Sequence, residues 1–510
     1  MSPSPPPAAS EGAAAATSAE STAPRTGPVI GLLVASAFVV ILNETIMSVA
    51  MPRLMVDLDI TAATAQWLTT AFMLTMAAVI PMTGRLLERY TTRTLFIAAM
   101  SLFSAGTLLA AAAPGFGALL AGRVVQASGT AVMMPLLMTT VLTFVPAERR
   151  GRTMGLISIV MAVAPAIGPT VSGLVLSVLG WRWMFIVVLP FALLALGAGA
   201  VLVRNVSRPR PVRFDLLSVA LSAVAFGGLI YGLNSIGEAA EGHAAVSPLL
   251  PIAVGAVVLA VFVVRQVALQ RQDRPLMDLR AFRTRNFTVA LVLVLISMAA
   301  LFGALITLPL LLQNVLGYGT LETGLMLLPG GLVMGLVGAV IGRVFDRVGP
   351  RPLVTPGAVA VSAALWGMTA LDQDATPALI IGVHLVLNVG LGFMLTPLLT
   401  SALGSLPAHL YTHGSAILNT LQQVAAAAGT ALFITVMSTG AAAAVAAGEG
   451  AVAAQAQGLR TAFVCGAVIS LFAVAMAWLV KPPADHGGTP ADGPAPEAGT
   501  ADAEAPVRAG

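Results

Sequence analysis

From residue 28 to residue 480 the chain alternates between long apolar runs and short polar breaks. Fourteen of the runs are long enough to cross a bilayer as helices, for which about 20 residues suffice. They cover roughly 28–50, 66–86, 95–113, 117–145, 153–178, 184–203, 214–234, 248–267, 287–313, 322–344, 352–371, 377–405, 414–440 and 460–480. The third and eleventh have soft ends, and Pro397 interrupts the long twelfth. The pattern predicts an all-α polytopic membrane protein.

Composition agrees. The 510 residues are 57% hydrophobic and 9% charged, with mean hydropathy +0.92. Soluble globules average about 25% charged, so that class is excluded. Cys465 is the single cysteine, which excludes disulfide frameworks and multi-cysteine metal sites. The net charge of +4 does not indicate nucleic acid, because the basic residues punctuate the apolar runs. All are arginine except Lys481. With the Ala and Gly excess, this points to a GC-rich bacterial genome. Residues 1–27 are Pro, Ala, Ser and Thr with Glu11, Glu20 and Arg25. They lack the charged and apolar regions of a cleavable signal peptide and read as a disordered tail, as do residues 481–510.

The arginines set the orientation. Arg85, Arg89 and Arg93 follow the second span, Arg149, Arg150 and Arg152 the fourth, and Arg204, Arg208, Arg210 and Arg213 the sixth. Arg265 to Arg285 follow the eighth, and Arg343, Arg347 and Arg351 the tenth. The alternate breaks are mostly acidic, with Asp57, Asp59, Glu238, Glu241, Glu322, Asp372, Asp374 and Glu449. The positive-inside rule places both termini in the cytoplasm.

An internal repeat accompanies this topology. GRLLERYTTR, from Gly84 to Arg93, is echoed by GRVFDRVGPR, from Gly342 to Arg351. Repeated halves are a mark of transporters. The copies lie eight spans apart rather than six, so two spans are inserted, and the seventh and eighth are the natural candidates. The expected organisation is a six-helix bundle over 28–204, an inserted pair with its linkers over 205–285, and a second six-helix bundle over 286–480.

Glu44 carries the first chemical signal. It lies in PVIGLLVASAFVVILNETIMSVAMP, where Ile46, Met47, Val49, Ala50 and Met51 prolong the apolar run beyond it. A carboxylate there costs about 3 kcal/mol on insertion scales and marks an acidic site facing a cavity. The bland alternative places it among headgroups. On the fourth span, Arg123 and Gln126 in LLAGRVVQASGTAVMMP are one turn apart and share a face. Arg123 is either a buried functional group or an arginine snorkelling to the outer surface. In APAIGPTVSGL, Pro165 and Pro169 remove backbone donors, while Gly168 and Gly173 admit a close neighbour. In HGSAILNTLQQVAAAAGTAL, Asn419, Gln422 and Gln423 either bond across helices or line a substrate path. His384 and Asn388, one turn apart, are open to the same two readings. In the repeated loops, Glu88 and Asp346 with Arg89, Arg93, Arg347 and Arg351 can form charge-assisted pairs. Gly84, Gly342 and Gly349 allow tight approach there.

In this order the stretches resemble the fourteen-helix drug:proton antiporters of the major facilitator superfamily, in the multidrug and lincomycin-resistance branch. The resemblance covers residues 28–480. It implies two six-helix bundles around a central cavity plus an inserted pair. It also implies proton coupling at Arg123, an antiporter motif at Gly168-Pro169, and gate loops at Gly84 and Gly342. One departure concerns the first span, where the family's acid falls at Asn43 and this chain carries it one position later. On a helix that step is a rotation of about 100°.

The expected function is proton-driven export of hydrophobic, often cationic drugs or antibiotics by a bacterial plasma-membrane protein. Glu44 and Arg123 would handle the proton or the substrate cation. Asn43, Gln126, Pro165, Gly168, Pro169, His384, Asn388, Asn419, Gln422 and Gln423 would line the cavity. The expected partners are small molecules, protons and lipid, without nucleic acid, for a monomer that is not an enzyme. No phosphate-cradling loop, zinc spacing or nucleophile elbow occurs, so no cofactor, metal or ATP drive is expected. Two rivals are a proton-linked importer of a small polar solute and a non-transporting membrane sensor.

Overall fold

A backbone in hydrocarbon must satisfy its own polar groups, and helices do this within one segment. The computed structural model, which describes residues 26–60, 62–203, 215–240, 247–272, 274–372 and 375–480, is helical in that sense. The sequence expectations for both tails, for Arg204 to Arg213 and for Glu241 and Asp374 lie outside the described residues.

Among the described residues, fourteen helices of 18 residues or more follow in order. They are α1 (Thr26–Leu58), α2 (Ala62–Val79), α3 (Thr92–Ala111), α4 (Phe116–Phe144), α5 (Arg150–Val178), α6 (Arg182–Leu202) and α7 (Leu216–Ala240), then α8 (Leu249–Gln270), α9 (Arg285–Leu310), α10 (Thr320–Val348), α11 (Arg351–Met368), α12 (Pro377–Gly404), α13 (Tyr411–Ala446) and α14 (Ala451–Ala477). Twelve candidate membrane spans satisfy length and apolarity together among the described residues. The two helices outside that number are α5, which carries the uncharged apolar run MGLISIVMAVAPAIGPTV over 154–171, and α11, whose Arg351 and Gly, Pro, Ser and Thr dilute its hydropathy.

Several ends differ from the sequence expectation. α1 runs eight residues past its apolar stretch, joined there by the Arg53–Asp57 ion pair one turn apart (3.1 Å), and stops before Asp59 at φ 51°. Pro81 divides the second span into α2, a 3-10 turn at Ile80–Met82 and a short helix Thr83–Arg89. α13 continues to Ala446 because alanine is the best helix former. α10 ends on Gly349, whose φ of 75° is the glycine-favoured region.

Helix contacts repeat with an offset of eight. α3 packs on α4 as α11 packs on α12; α1 on α5 as α9 on α13; α2 on α4 as α10 on α12; and α3 on α6 as α11 on α14. α7 and α8 pack on each other, and α7 also rests on α2 and α13. α8 is peripheral: Val257 and Val264 are 65% and 70% exposed, a face suited to lipid. The two repeat-related halves meet chiefly through α5 against α10 and through α13 against α4 and the short helix Thr83–Arg89. At the α5–α10 crossing the backbones touch. A Cβ on Gly342 would collide with the Gly151 carbonyl, so only glycine permits the approach.

Candidate functional site

Inside the first half, α4 carries Arg123 to a position 1% exposed, which removes the snorkelling alternative. A guanidinium in such a place needs acceptors and a polarisable surface. Its Nη1 donates to Gln126 Oε1 (2.6 Å) and to Asn43 Oδ1 of α1 (3.3 Å). Gln126 in turn donates to Thr107 of α3 (2.7 Å). The guanidinium lies over the Phe72 ring of α2, 4.1 Å from its centroid. Four helices thus converge on one cation. Arg123 Nε has no hydrogen-bond partner among the described residues.

Glu44 follows Asn43 on α1 and is partly buried. It interacts electrostatically with Arg123, yet accepts no hydrogen bond among the described residues. The 100° step therefore gives Asn43 the direct contact and leaves the Glu44 carboxylate beside it. Helix α5 supports this level of α1. A Cβ on Gly168 would collide with Thr45 Oγ1, and Ser172 donates to the Ile46 carbonyl (3.0 Å). The antiporter-like motif therefore packs on α1 within two residues of Glu44. α5 stays helical across Pro165 and Pro169; Pro165 is partly buried, and the Pro169 side chain is outside what is described. Asn43 and Gln126 are buried in the arginine cluster. Between α1, α5 and α6 lies an apolar cavity of about 540 Å³, walled by Phe38, Leu42, Val171, Val175, Met184 and Phe191.

In the second half, His384 and Asn388 sit against α10. His384 Nε2 is 3.3 Å from the Leu327 carbonyl, and a Cβ on Gly330 would strike the His384 ring. Asn388 donates to the His384 carbonyl (2.8 Å). On α13, Asn419 donates to the Ser415 carbonyl (2.8 Å) and touches Met138 Sδ of α4. Gln422 is buried, with Nε2 unpartnered among the described residues, and Gln423 is partly buried.

At the arginine-rich end the repeated loops close the molecule in two related ways. Asp346 accepts from the amides of Gly151 (2.7 Å) and Arg152 (2.9 Å) at the N-terminus of α5, where exposed donors and the helix dipole favour an anion. Glu88 accepts from His413 Nε2 (2.9 Å) in the first turn of α13 and from Arg85 Nη1 (2.7 Å). A Cβ on Gly84 would lie 3.0 Å from the His413 ring. The other arginines named from the repeat do different work. Arg93 donates to the Ala200 carbonyl at the end of α6 (2.6 Å), and Arg351 lies over Trp478 beyond α14. Arg89 is exposed over Tyr90, and Arg347 is exposed.

The model of the Major Facilitator Superfamily matches residues 33–430. The chain belongs to the Major Facilitator Superfamily. It is therefore a multi-pass membrane transporter. It is 41% identical over 448 residues to a Listeria monocytogenes protein named Lincomycin resistance protein LmrB, covering 87% of this chain and 94% of that one. It is 40% identical over 455 residues to an uncharacterized MFS-type transporter, YcnB, of Bacillus subtilis, covering 89% and 95%. To a Mycobacterium tuberculosis protein named Multidrug resistance protein B homolog it is 31% identical, covering 79% and 74%. These relatives place it in a multidrug-resistance branch of the superfamily. The crystal structure of the human organic anion transporter MFSD10 shares the fold, with TM-score 0.63, 15% identity, and coverage of 89% of this chain and 100% of that one.

Sequence reasoning about this superfamily member missed Thr107, Phe72, Arg85 and His413. Thr107 and Phe72 are ordinary residues of apolar spans and carry no signal. Arg85 and His413 carried one, being charged or titratable groups at the edge of a span, but their partner Glu88 lies far away in sequence from His413.

Proposed function

We propose that the protein is a proton-coupled efflux antiporter for hydrophobic, often cationic drugs or antibiotics. The observation carrying this reading is the buried Arg123–Asn43–Gln126 cluster beside a carboxylate, Glu44, that has no hydrogen-bond donor among the described residues. The names of the lincomycin-resistance and multidrug-resistance relatives support it. In this reading α5 and α11 cross the membrane as well, giving fourteen spans. α1–α6 and α9–α14 form two bundles, with α7 and α8 inserted between them. Both termini and the arginine-rich end face the cytoplasm of a bacterial cell, and the protein works as a monomer without a cofactor.

Closure of α5 on α10 and of α13 on the short helix Thr83–Arg89 then corresponds to an outward-facing state. Glu44 holds either a proton or the positive end of a drug. The drug displaces the proton on the inner side, and a proton displaces the drug on the outer side, as one half rocks against the other. Exchange of a monovalent cation for one proton moves no net charge. A neutral drug exchanged for a proton gains about 2.3 kcal/mol per 100 mV of membrane potential.

The test is Glu44→Gln, which keeps shape and removes charge. Transport into everted vesicles under an imposed pH gradient, with the potential clamped, should be crippled for cationic ethidium. Neutral chloramphenicol should be partly spared, and Glu44→Asp should lose less. Export of both compounds by Glu44→Gln at the wild-type rate would remove Glu44 from the coupling step.

A further inference from the structure

The inserted pair α7–α8 has one lipid-facing side and one buried polar side, and the polar side leads to the gate. Gln266, on α8, is fully buried. Its Oε1 accepts from the amides of Leu276 (2.7 Å) and Met277 (3.3 Å), and its Nε2 donates to Ser218 of α7 (2.8 Å). Ser218 donates to Asp215, which Arg265 of α8 grips through two bonds of 2.8 and 2.9 Å. One turn beyond Gln266, Gln270 donates to Asp278 (3.2 Å). Asp278 also pairs with Arg280 (2.6 Å), and although burial alone would push its carboxyl up, bonds from the Arg280 side chain and amide hold it below the usual carboxylate range. Leu276, Met277, Asp278 and Ala281 are all buried. Residues 274–281 are thus a fixed strap rather than a loose connection.

The strap meets the gate at Pro275. The Pro275 carbonyl, next to the residue whose amide Gln266 holds, accepts from Arg85 Nε (2.7 Å). The same guanidinium bonds Glu88, which bonds His413 of α13. A guanidinium needs two directed acceptors to be held in one plane, and the Pro275 carbonyl is one of those that orient Arg85 toward Glu88. The second gate loop needs no such prop, because Asp346 takes its donors directly from the backbone of α5.

We propose that α7 and α8 brace the arginine-rich gate, with Gln266 as the positioning residue that fixes the 274–278 strap and, through the Pro275 carbonyl, aligns Arg85 on Glu88 and His413. This rests on reading that end as the gate of a transporter. It gives the inserted pair a function: among the described residues the first gate loop has no backbone cap like that of the second, and the strap supplies rigidity in its place.

The experiment uses the full chain with Cys465→Ser and Met138→Cys. Met138 is buried on α4 against Asn419. It becomes reachable by a membrane-impermeant maleimide from the arginine-rich side only when α4 and α13 part. Gln266→Leu leaves two buried amides without an acceptor, an effect sufficient to shift the closed–open balance about tenfold. Labelling should rise by that factor, while Gln266→Glu, which keeps the acceptor oxygen, should label near the wild-type rate. Adding Arg85→Met to Gln266→Leu should change labelling little further, since coupled residues are not additive. Should the Leu variant fail to insert, Gln266→Asn, too short to reach both amides, takes its place. Wild-type labelling in inserted Gln266→Leu or Gln266→Asn, or full additivity with Arg85→Met, overturns the brace. If wild-type labelling ignores ethidium and every imposed pH gradient, the transport reading fails instead, and the brace is still decided by comparing Gln266→Leu with wild type.

Discussion

Replacing Arg123 tests the centre of the site most directly. Its bond to Gln126 at 2.6 Å is short and charge-assisted, while that to Asn43 at 3.3 Å is at the weak end of the range. One strong bond to a charged group contributes about 1.5–3 kcal/mol. Stacking on Phe72 in a desolvated setting adds about 2 kcal/mol. Arg123→Ala therefore removes about 4 kcal/mol of interaction from the charged state of the cluster. The fold loses less, because the guanidinium's own desolvation is relieved at the same time. The remaining penalty is chiefly the buried Gln126 oxygen left without its donor, about 1–3 kcal/mol, so the variant should still insert.

Coupling should not survive, because the cation that faces Glu44 is gone. In proteoliposomes, Arg123→Ala should abolish ethidium accumulation against a gradient while leaving downhill exchange within a few fold of wild type. Arg123→Lys should rescue poorly. An ammonium is a compact, strongly hydrated point charge without the planar group that stacks on Phe72 while Nη1 bonds Gln126 and Asn43. Uphill accumulation at the wild-type rate by either variant would show that the cluster only packs the helices.

Two further outcomes are expected. Asp346→Asn keeps one acceptor for the α5 amides but loses the charge and turns a donor toward the second amide. Labelling of Met138→Cys from the arginine-rich side should rise about tenfold and export should fall, whereas unchanged labelling would leave the repeated loop as a topology signal alone. For orientation, single cysteines replacing Glu449 and Arg271 in the Cys465→Ser background should be labelled in intact cells only at the first. Labelling of Arg271→Cys from outside would reverse the assignment.

The sequence by itself determined the helical spans, the repeat and the residues worth watching. Apolar length is a one-dimensional property, because the bilayer imposes its thickness on each segment separately. The repeat was legible in the same way, since GRLLER and GRVFDR share a spacing. The motifs also brought Glu44 forward on the first span, and Arg123 with Gln126 on one face of the fourth. What each polar group bonds was decided only by the tertiary structure. In a low-dielectric interior a buried donor takes whichever acceptor the packing brings within about 3 Å, and that acceptor is frequently a backbone atom with no sequence signature. Asp346 and Glu88 occupy matching positions in the repeat. One closes on two backbone amides, and the other on a histidine and on an arginine held by the carbonyl of Pro275, 190 residues away. Arg89, Arg93, Arg347 and Arg351 carry the repeated charge and are all exposed, yet Arg93 bonds the end of α6 and Arg351 lies over Trp478 beyond α14. Spacing conveys that a charge recurs; only the crossing of α5 on α10, and of α13 on the short helix Thr83–Arg89, selects which charge meets a partner.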